Sequence, residues 1–231
     1  MGKISFPDFW KYYDQNNVNQ KEAICLLESA MPQSLLTDEA DWVVKYREPE
    51  PKPDLSNPLP VEYMWQRDNY DGEGDRECQT SSIAMALKFL GVPGINSDDD
   101  YLRIVNQYGD TTQQATHMQA LDHLGVQASF CQTLHKEDII KQIKAGVPVP
   151  LGYLHHGDLG HPTGGHYLCA VGFTQLHLIA HDPFGNMSMV TGYWEATGPE
   201  DGKFIHYSWK NFLKRWDVGG GWGWIFDPAK K

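Results

Sequence analysis

Three residues of this 231-residue chain have the types and the order that thiol-based hydrolysis requires, namely Cys78, His166 and Asp182. In such chemistry a cysteine attacks as its thiolate, a histidine moves the proton, and a carboxylate orients the imidazole. Together they would cleave an acyl bond, such as an amide, through a covalent thioester. The sequence therefore leads to the hypothesis of a cysteine hydrolase with these three residues as a catalytic triad.

Cys78 directly precedes a segment with helical periodicity, TSSIAMALKFL, which runs into Gly91. Ile83, Leu87 and Leu90 recur at helical spacing, so we expect an amphipathic helix with one buried stripe that stops at the glycine. The first turn of a helix has unpaired N–H groups and the positive end of the helix dipole. These groups favour a thiolate and can hold the oxyanion that forms on an attacked carbonyl.

His166 follows Gly164 and Gly165 in an apolar run, 165–173, that predicts a strand. The two glycines would let a substrate and the facing cysteine approach the imidazole. Asp182 lies sixteen residues further along (182 − 166 = 16), after one strand, a turn and most of a second strand. An antiparallel hairpin of this length could place the carboxylate beside the ring nitrogen remote from Cys78, where it would stabilise the imidazolium.

The remaining segments predict helices first and strands afterwards. Helices are expected from the N-cap Ser97, over 113–124 up to Gly125, and from near His135 up to Gly146. Strands are expected at 147–153, 165–173 and 176–181, followed by a helix near 208–216 and a last strand within GGGWGWIF. This order indicates an α+β fold.

The start of the chain predicts a separate unit. Residues 1–47 have helical periodicity and would form a small helical N-terminal module. Five prolines follow within 48–60 (EPEPKPDLSNPLP), and such a composition predicts an extended, semi-rigid linker. Residues 61–231 would then form the catalytic domain.

Composition and charge argue against several other classes of protein. The formal net charge is −11 and the chain has no long basic run, so binding to the phosphate backbone of nucleic acid is not expected. No apolar run is long enough to span a membrane, and the N-terminus lacks the regions of a secretory signal. The four cysteines contain no C-x-x-C pair, so we expect reduced thiols made in a cytoplasm and no zinc site built on thiolates.

Three segments resemble, as a set, the bacteriocin-processing-peptidase-like family of cysteine peptidases, in the branch of stand-alone bacterial and phage hydrolases. They are QRDN (66–69), CQTSSIAM (78–85) and GGHYLCAVGF…HDPFG (164–185), and the resemblance covers roughly 61–227. It implies a papain-like α+β fold whose helical half carries the cysteine and whose antiparallel sheet carries the histidine and the aspartate. It also implies Cys78 as nucleophile, His166 as base, Asp182 as the orienting residue and Gln66 in the oxyanion hole, with no cofactor and no metal.

The sequence departs from the pattern of that family near the glutamine. Gln66 precedes Cys78 by twelve residues (78 − 66 = 12), where about six are usual, and DGEGDRE (71–77) looks like a loop insertion. Gln79 follows the cysteine where many members have glycine. Gln79 is therefore a second, more distant candidate for the oxyanion hole.

Two other classes of function stay open. Six histidines between 155 and 181 make a zinc hydrolase a rival, although no H-E-x-x-H motif occurs (His155, His156, His161, His166, His177 and His181). A non-catalytic wall-binding module would instead use tryptophans to hold a glycan or a peptide (Trp65, Trp194, Trp222 and Trp224). An ordered set of cysteine, histidine and aspartate favours the enzyme.

The N-terminal block has an aromatic-rich start, an Asn-x-x-Asn-Gln-x-x-Ala stretch (16–23) and a late Trp-Val-x-x-Tyr-Arg (42–47). It thereby resembles segments that accompany phage-type or cell-wall-directed hydrolases, and this resemblance implies bacterial peptidoglycan as the expected substrate. The chain would then be a phage endolysin or a virion-associated lysin that reaches the cell wall through a holin or by injection. Its N-terminal module could bind virion or tail proteins. A cysteine peptidase that acts on a protein or a leader peptide is the alternative.

Overall fold

The structure is a computed structural model that describes residues 57–227. The module predicted at 1–47 and residues 48–56 of the linker predicted at 48–60 lie outside the described residues, so what was predicted for them stays a prediction. Between residues 57 and 227, no helix is long and apolar enough to cross a membrane.

A six-stranded antiparallel sheet forms the centre of the described domain, in the strand order β1-β8-β2-β3-β4-β7. Its central strands are buried along nearly their whole length, which explains why the sequence shows apolar runs there instead of alternation. The strands are β1 (Ala128–Cys131), β2 (Val149–Tyr153), β3 (His166–Phe173), β4 (His177–His181), β7 (Ile205–Ser208) and β8 (Gly223–Phe226). A second, two-stranded sheet pairs β5 (Asn186–Met187) with β6 (Trp194–Ala196).

The five α-helices of the described residues begin and end close to the predicted positions. They are α1 (Cys78–Phe89), α2 (Asp98–Val105), α3 (Gln114–His123), α4 (Lys136–Lys144) and α5 (Trp209–Trp216). Ser97 caps α2 by accepting a hydrogen bond from the Asp100 N–H at 3.3 Å. Gly91 follows α1 with a φ of 71°, a left-handed conformation that glycine adopts without strain.

Helix α1 is buried on nearly all sides, so the expectation of a single buried stripe is wrong. Every residue from Gln79 to Leu87 is buried, whereas Leu90, expected in the stripe, is only half-buried. The reason is its central position, because α1 packs against β2 and β3 and also against α2. The buried Ser81 hydroxyl donates to Asp98 at 2.6 Å and thereby fastens α1 to α2.

The sequence analysis missed four short strands. β1 pairs with β8 and is only partly buried, so its residues carry a weak apolar pattern. β7 contributes four residues directly before α5 and pairs with β4 at the other edge of the sheet. β5 and β6 are two and three residues long. The α+β fold is confirmed, but one strand, β1, also lies within the half that was expected to be helical.

The last residues of the predicted linker are attached to the sheet. The Asn57 side chain bonds both the N–H and the carbonyl of Phe173, at 2.9 and 2.8 Å. The Leu59 N–H donates to the Val171 carbonyl at 2.7 Å, and its side chain is buried. Residues 57–60 therefore lie along β3.

Candidate active site

Cys78 and His166 meet because each is the first residue of an element and the two elements pack together. Cys78 begins α1, His166 begins β3, and α1 lies against β3. The Cys78 side chain lies close enough to the His166 imidazole to raise its pKa. Cys78 is half-buried, whereas His166 is only 4% exposed. The thiol therefore lies beside an imidazole that water hardly reaches.

Asp182 binds the other side of the imidazole. The distance from His166 Nε2 to Asp182 Oδ1 is 2.6 Å, and the aspartate is fully buried. β3 and β4 are antiparallel, with Cys169 opposite His181, so the residue after β4 lies beside the start of β3. We assign the Nε2 proton to the bond with the carboxylate, which leaves Nδ1 to face Cys78.

Both carboxylate oxygens of Asp182 accept further hydrogen bonds. The Tyr153 hydroxyl donates to Oδ2 at 2.7 Å and the Tyr207 hydroxyl at 3.4 Å, while the Phe184 N–H donates to Oδ1 at 3.1 Å. The sequence analysis missed both tyrosines. Tyr153 lies directly opposite His166 in the β2–β3 register, and Tyr207 lies on the missed strand β7.

These contacts decide the charge of His166. Its burial alone would lower the pKa, but the Asp182 carboxylate and Cys78 raise it, and the net result is an increase from 6.5 to about 10. The imidazole is therefore protonated at neutral pH. Burial, with the charge of Asp182 added, holds the pKa of Tyr153 well above its ordinary value, so this phenol stays a hydrogen-bond donor.

Aromatic side chains surround the imidazole. Trp194 packs edge to face with His166 at a centroid distance of 5.1 Å, and Phe184 lies 4.6 Å from Trp194. His155 lies 5.5 Å from His166. Burial, and then the charge of His166, lowers the pKa of His155 to about 3, so His155 is neutral beside the protonated imidazole.

Arg215 fastens the loops beside this aromatic cluster. The buried guanidinium donates to the carbonyls of Met189 at 2.6 Å, Leu154 at 2.9 Å and Gly157 at 2.7 Å. His155 lies within one of these loops, and Trp194 follows the other. The sequence could not reveal this role of Arg215. The periodicity of α5 places Arg215 on the buried face of the helix but does not say which loops lie beside it.

Gln66 lies close to the triad although twelve residues separate it from Cys78. It begins a 3₁₀ turn, Gln66–Asp68, that packs against α1. Its N–H donates to the carbonyl of Pro183, the residue after Asp182, at 3.0 Å. Its side chain is buried and donates to the Gly74 carbonyl at 2.6 Å. Gln79, the second candidate, is also buried, and its Nε2 has no partner within the described part of the chain.

Gly164 has a different role from the expected one. It has a φ of 75°, and a Cβ atom there would lie 2.7 Å from His156 and 3.0 Å from His155. The glycine is thus required by the turn and by the packing of these two histidines. A Cβ atom on Gly165 would meet open space, so access to His166 does not depend on a glycine at that position.

Apart from the cluster of His155, His156 and His166, the histidines of the zinc alternative have separate environments. His181 Nε2 is 2.9 Å from the Val61 carbonyl, and its Nδ1 accepts from the Phe204 N–H at 3.0 Å. His177 lies near Thr174, and His161 near Asp158. Among residues 57–227, no group of three or more His, Cys, Asp or Glu side chains is arranged to hold a metal ion.

The tryptophans of the binding-module alternative are also dispersed. Trp224 is fully buried and packs against Phe130, so it belongs to the core. Trp65, Trp194 and Trp222 are half-buried, and Trp194 is the one that contacts His166. The buried Trp224 therefore cannot be part of a binding surface.

The Peptidase_C39 like family model matches residues 58–218, which is more than half of the chain. This chain belongs to the Peptidase_C39-like family. The match confirms the resemblance to bacteriocin-processing-type peptidases, and family and fold together support a cysteine peptidase. A search of curated proteins found no match.

Two solved structures are similar to this C39-like chain. One, from Bacillus anthracis, is described as a C39-like peptidase; it has a TM-score of 0.53 and 15% identity, and the match covers 74% of this chain and 96% of that one. The other is the peptidase domain of Streptococcus ComA, a bi-functional ABC transporter, with a TM-score of 0.45, 14% identity and coverages of 73% and 99%. The first supports the papain-like α+β fold.

Proposed function

We propose that this C39-like protein is a cysteine hydrolase that cleaves an amide bond of bacterial peptidoglycan, with Cys78, His166 and Asp182 as its catalytic triad. The observation that carries the proposal is the 2.6 Å hydrogen bond between His166 and Asp182, together with the position of Cys78 close enough to the same imidazole to raise its pKa. Each of the three residues has the role that its chemistry allows.

In the first half of the reaction the Cys78 sulfur attacks the carbonyl carbon of the amide, and the carbonyl electrons move onto oxygen. The N–H groups of the first turn of α1 and the Gln66 side-chain amide stabilise this oxyanion. The tetrahedral intermediate then collapses to a thioester. His166 Nδ1 gives its proton to the departing amine, which leaves the imidazole neutral.

In the second half the neutral imidazole takes a proton from water as the water oxygen attacks the thioester carbon. Collapse of this intermediate releases the carboxylic acid product and the Cys78 thiolate, and His166 is again protonated. Asp182 keeps its bond to Nε2 throughout, so the imidazole does not rotate away from the sulfur. The buried tyrosine donors hold the negative charge of Asp182 in place.

Two observations support peptidoglycan as the substrate. The N-terminal block resembles segments of cell-wall-directed hydrolases, and the site has aromatic side chains at its edge, with Trp194 half-buried and Tyr193 77% exposed. Aromatic side chains are frequent where a protein meets a ligand. The protein is made in the cytoplasm and acts at the wall, with virion or tail proteins as partners of residues 1–47.

The test is digestion of purified sacculi by the full-length chain, followed by mass spectrometry of the released fragments. We expect new amine and carboxyl ends at one type of amide bond. Cys78→Ala abolishes their release, whereas the matched variant Cys131→Ala, which alters a half-buried cysteine on β1, does not.

Release that persists in Cys78→Ala would refute the nucleophile. Intact sacculi together with cleavage of a peptide library would refute the peptidoglycan substrate and favour the protein or leader-peptide alternative. In that outcome the triad stands and only the substrate changes.

A further inference from the structure

The segment 71–77, which lengthens the connection between Gln66 and Cys78, folds back onto Gln66. Gly74 begins a 3₁₀ turn, Gly74–Arg76, that packs against the turn Gln66–Asp68. The Gln66 Nε2 donates to the Gly74 carbonyl at 2.6 Å. Beside this bond, Arg67 Nε lies 3.4 Å from Asp75 Oδ1. The two turns are therefore joined at two neighbouring positions.

Gly74 can approach Gln66 this closely only because it has no side chain. A Cβ atom at this position would collide with the Gln66 carbonyl oxygen and would lie 2.7 Å from Arg67 Cα. Both are backbone atoms, so neither can move as the end of a side chain could. The close approach of the two turns is thus specific to glycine at position 74.

The bond to Gly74 fixes which way the Gln66 amide faces. A carbonyl oxygen can only accept, so the atom that faces Gly74 is the amide nitrogen and not its oxygen. One N–H is used in this bond, and the second N–H of the same nitrogen remains. The Gln66 backbone is held separately, by its N–H bond to Pro183 at 3.0 Å. Backbone and side chain are therefore both fixed before a substrate binds.

We propose that Gly74 is a positioning residue for the oxyanion hole: its carbonyl holds one N–H of the buried Gln66 amide and so sets the orientation in which this amide can meet the oxyanion that forms beside Cys78. This inference rests on the proposed function. An amide that could turn freely would lose side-chain entropy on every turnover, whereas a fixed donor is ready when the negative charge forms. The insertion that separates Gln66 from Cys78 is then the support that orients Gln66.

Two reactions of Cys78 separate this role from general stability. Hydrolysis of p-nitrophenyl acetate passes through an oxyanion, whereas alkylation by iodoacetamide does not. We expect Gly74→Ala to slow ester hydrolysis about tenfold or more through kcat, with KM and the alkylation rate within about twofold of wild type. Gly72→Ala is the control in the same loop: its φ of 75° is unfavourable for alanine, but its Cβ meets open space and does not collide with Gln66.

A double-mutant cycle tests whether Gly74 acts through Gln66. Gln66→Ala should slow ester hydrolysis at least as much as Gly74→Ala, and the double variant should be within about twofold of Gln66→Ala alone. Effects that multiply, or a Gly74→Ala variant with wild-type kcat, would overturn the inference. Ester hydrolysis by Cys78→Ala at the wild-type rate would instead refute the proposed function itself.

A measurement on the wild-type chain covers the case in which Gly74→Ala does not fold. The Gln66 side-chain amide signals can be identified by NMR as those that Gln66→Ala removes. We expect the proton bonded to Gly74 to exchange slowly with solvent, since Gln66 is fully buried and this proton is hydrogen-bonded. Two protons that exchange as fast as those of an exposed glutamine would overturn the inference.

Discussion

The two sides of the active site differ in how completely their polar groups are bonded. On the sheet side, which carries His166 and Asp182, both carboxylate oxygens accept two hydrogen bonds each. On the helix side, residues 65–82, several buried polar atoms have no partner among the described residues. They include Gln66 Oε1, both side-chain polar atoms of Asn69 and Gln79 Nε2.

This difference indicates that the two sides of the active site have different roles in the reaction. Buried polar groups are normally bonded, because an unbonded one costs free energy. The sheet side holds a charge pair that is present before the substrate arrives, and the hydrogen bonds of its carboxylate are complete. The helix side must bind a negative charge that forms only during the reaction, and there the amide nitrogens of Asn69 and Gln79 are donors without a partner among residues 57–227.

The largest expected effect is a loss of activity, and it is tested by substituting one residue from each side. Asp182→Asn and Gln66→Ala should each lower kcat/KM for ester hydrolysis, by about 100-fold for the former and tenfold or more for the latter. Only Asp182→Asn should move the basic limb of the pH profile to lower pH, because the carboxylate raises the pKa of His166 to about 10. Profiles between pH 5 and 11 measure this, and a basic limb that moves equally in both variants would contradict the division.

A second prediction concerns stability in acid. Burial lowers the pKa of His117 and of His181 from 6.5 to about 4, so the folded state binds fewer protons than the unfolded state between these values. Stability is therefore lost as the pH falls from 6.5 to 4. Burial also lowers the pKa of His155, whereas it raises that of Asp98 to about 6 and that of Glu77, and the two carboxyls offset part of the loss. Urea unfolding should show a net loss as the pH falls from 6 to 4, of about 1.4 kcal/mol per pH unit for each histidine that is not offset.

In alkali the sign is reversed for His166. Its folded pKa is raised, so its contribution is complete below pH 6.5 and is lost as the pH rises towards 10. Asp182→Asn should remove this alkaline loss and leave the acid loss unchanged. An alkaline loss that persists in the variant would mean that the charge pair does not stabilise the sheet side.

A third prediction ranks the two tyrosines of the sheet side. Tyr153 donates to Asp182 at 2.7 Å and Tyr207 at 3.4 Å, so the first bond is the stronger one. Tyr153→Phe should lower the free energy of unfolding by about 1.5–3 kcal/mol, and Tyr207→Phe by about 1 kcal/mol or less. Equal losses, measured by urea unfolding, would show that both phenols hold the carboxylate equally.

The smallest effect is expected from Asp75→Ala on the helix side. Its ion pair with Arg67 is solvent-exposed, and such pairs add little because water and salt screen them. Ester hydrolysis should change by less than about twofold, in contrast to Gly74→Ala one residue earlier. If Asp75→Ala slowed ester hydrolysis as much as Gly74→Ala does, the ion pair and not the glycine carbonyl would be the group that positions Gln66.

The sequence could predict those features that depend on neighbouring residues. Glycine stops, the Ser97 cap and the apolar runs of β2, β3 and β4 are local, and they appear close to the predicted positions. Tyr153 could not be predicted, because its place beside His166 depends on the register between two strands. The contact of Gly74 with Gln66 could not be predicted either, because the sequence of a loop insertion does not reveal which residues it will contact.

Competitive labelling of the cysteines tests the central claim most directly. At pH 6 ordinary thiols are almost entirely protonated and react slowly with iodoacetamide. The account predicts that mass spectrometry finds Cys78 labelled at least about tenfold faster than Cys131, and that His166→Ala removes this advantage. Equal labelling of Cys78 and Cys131, or an advantage that survives His166→Ala, would contradict a nucleophile activated by that histidine.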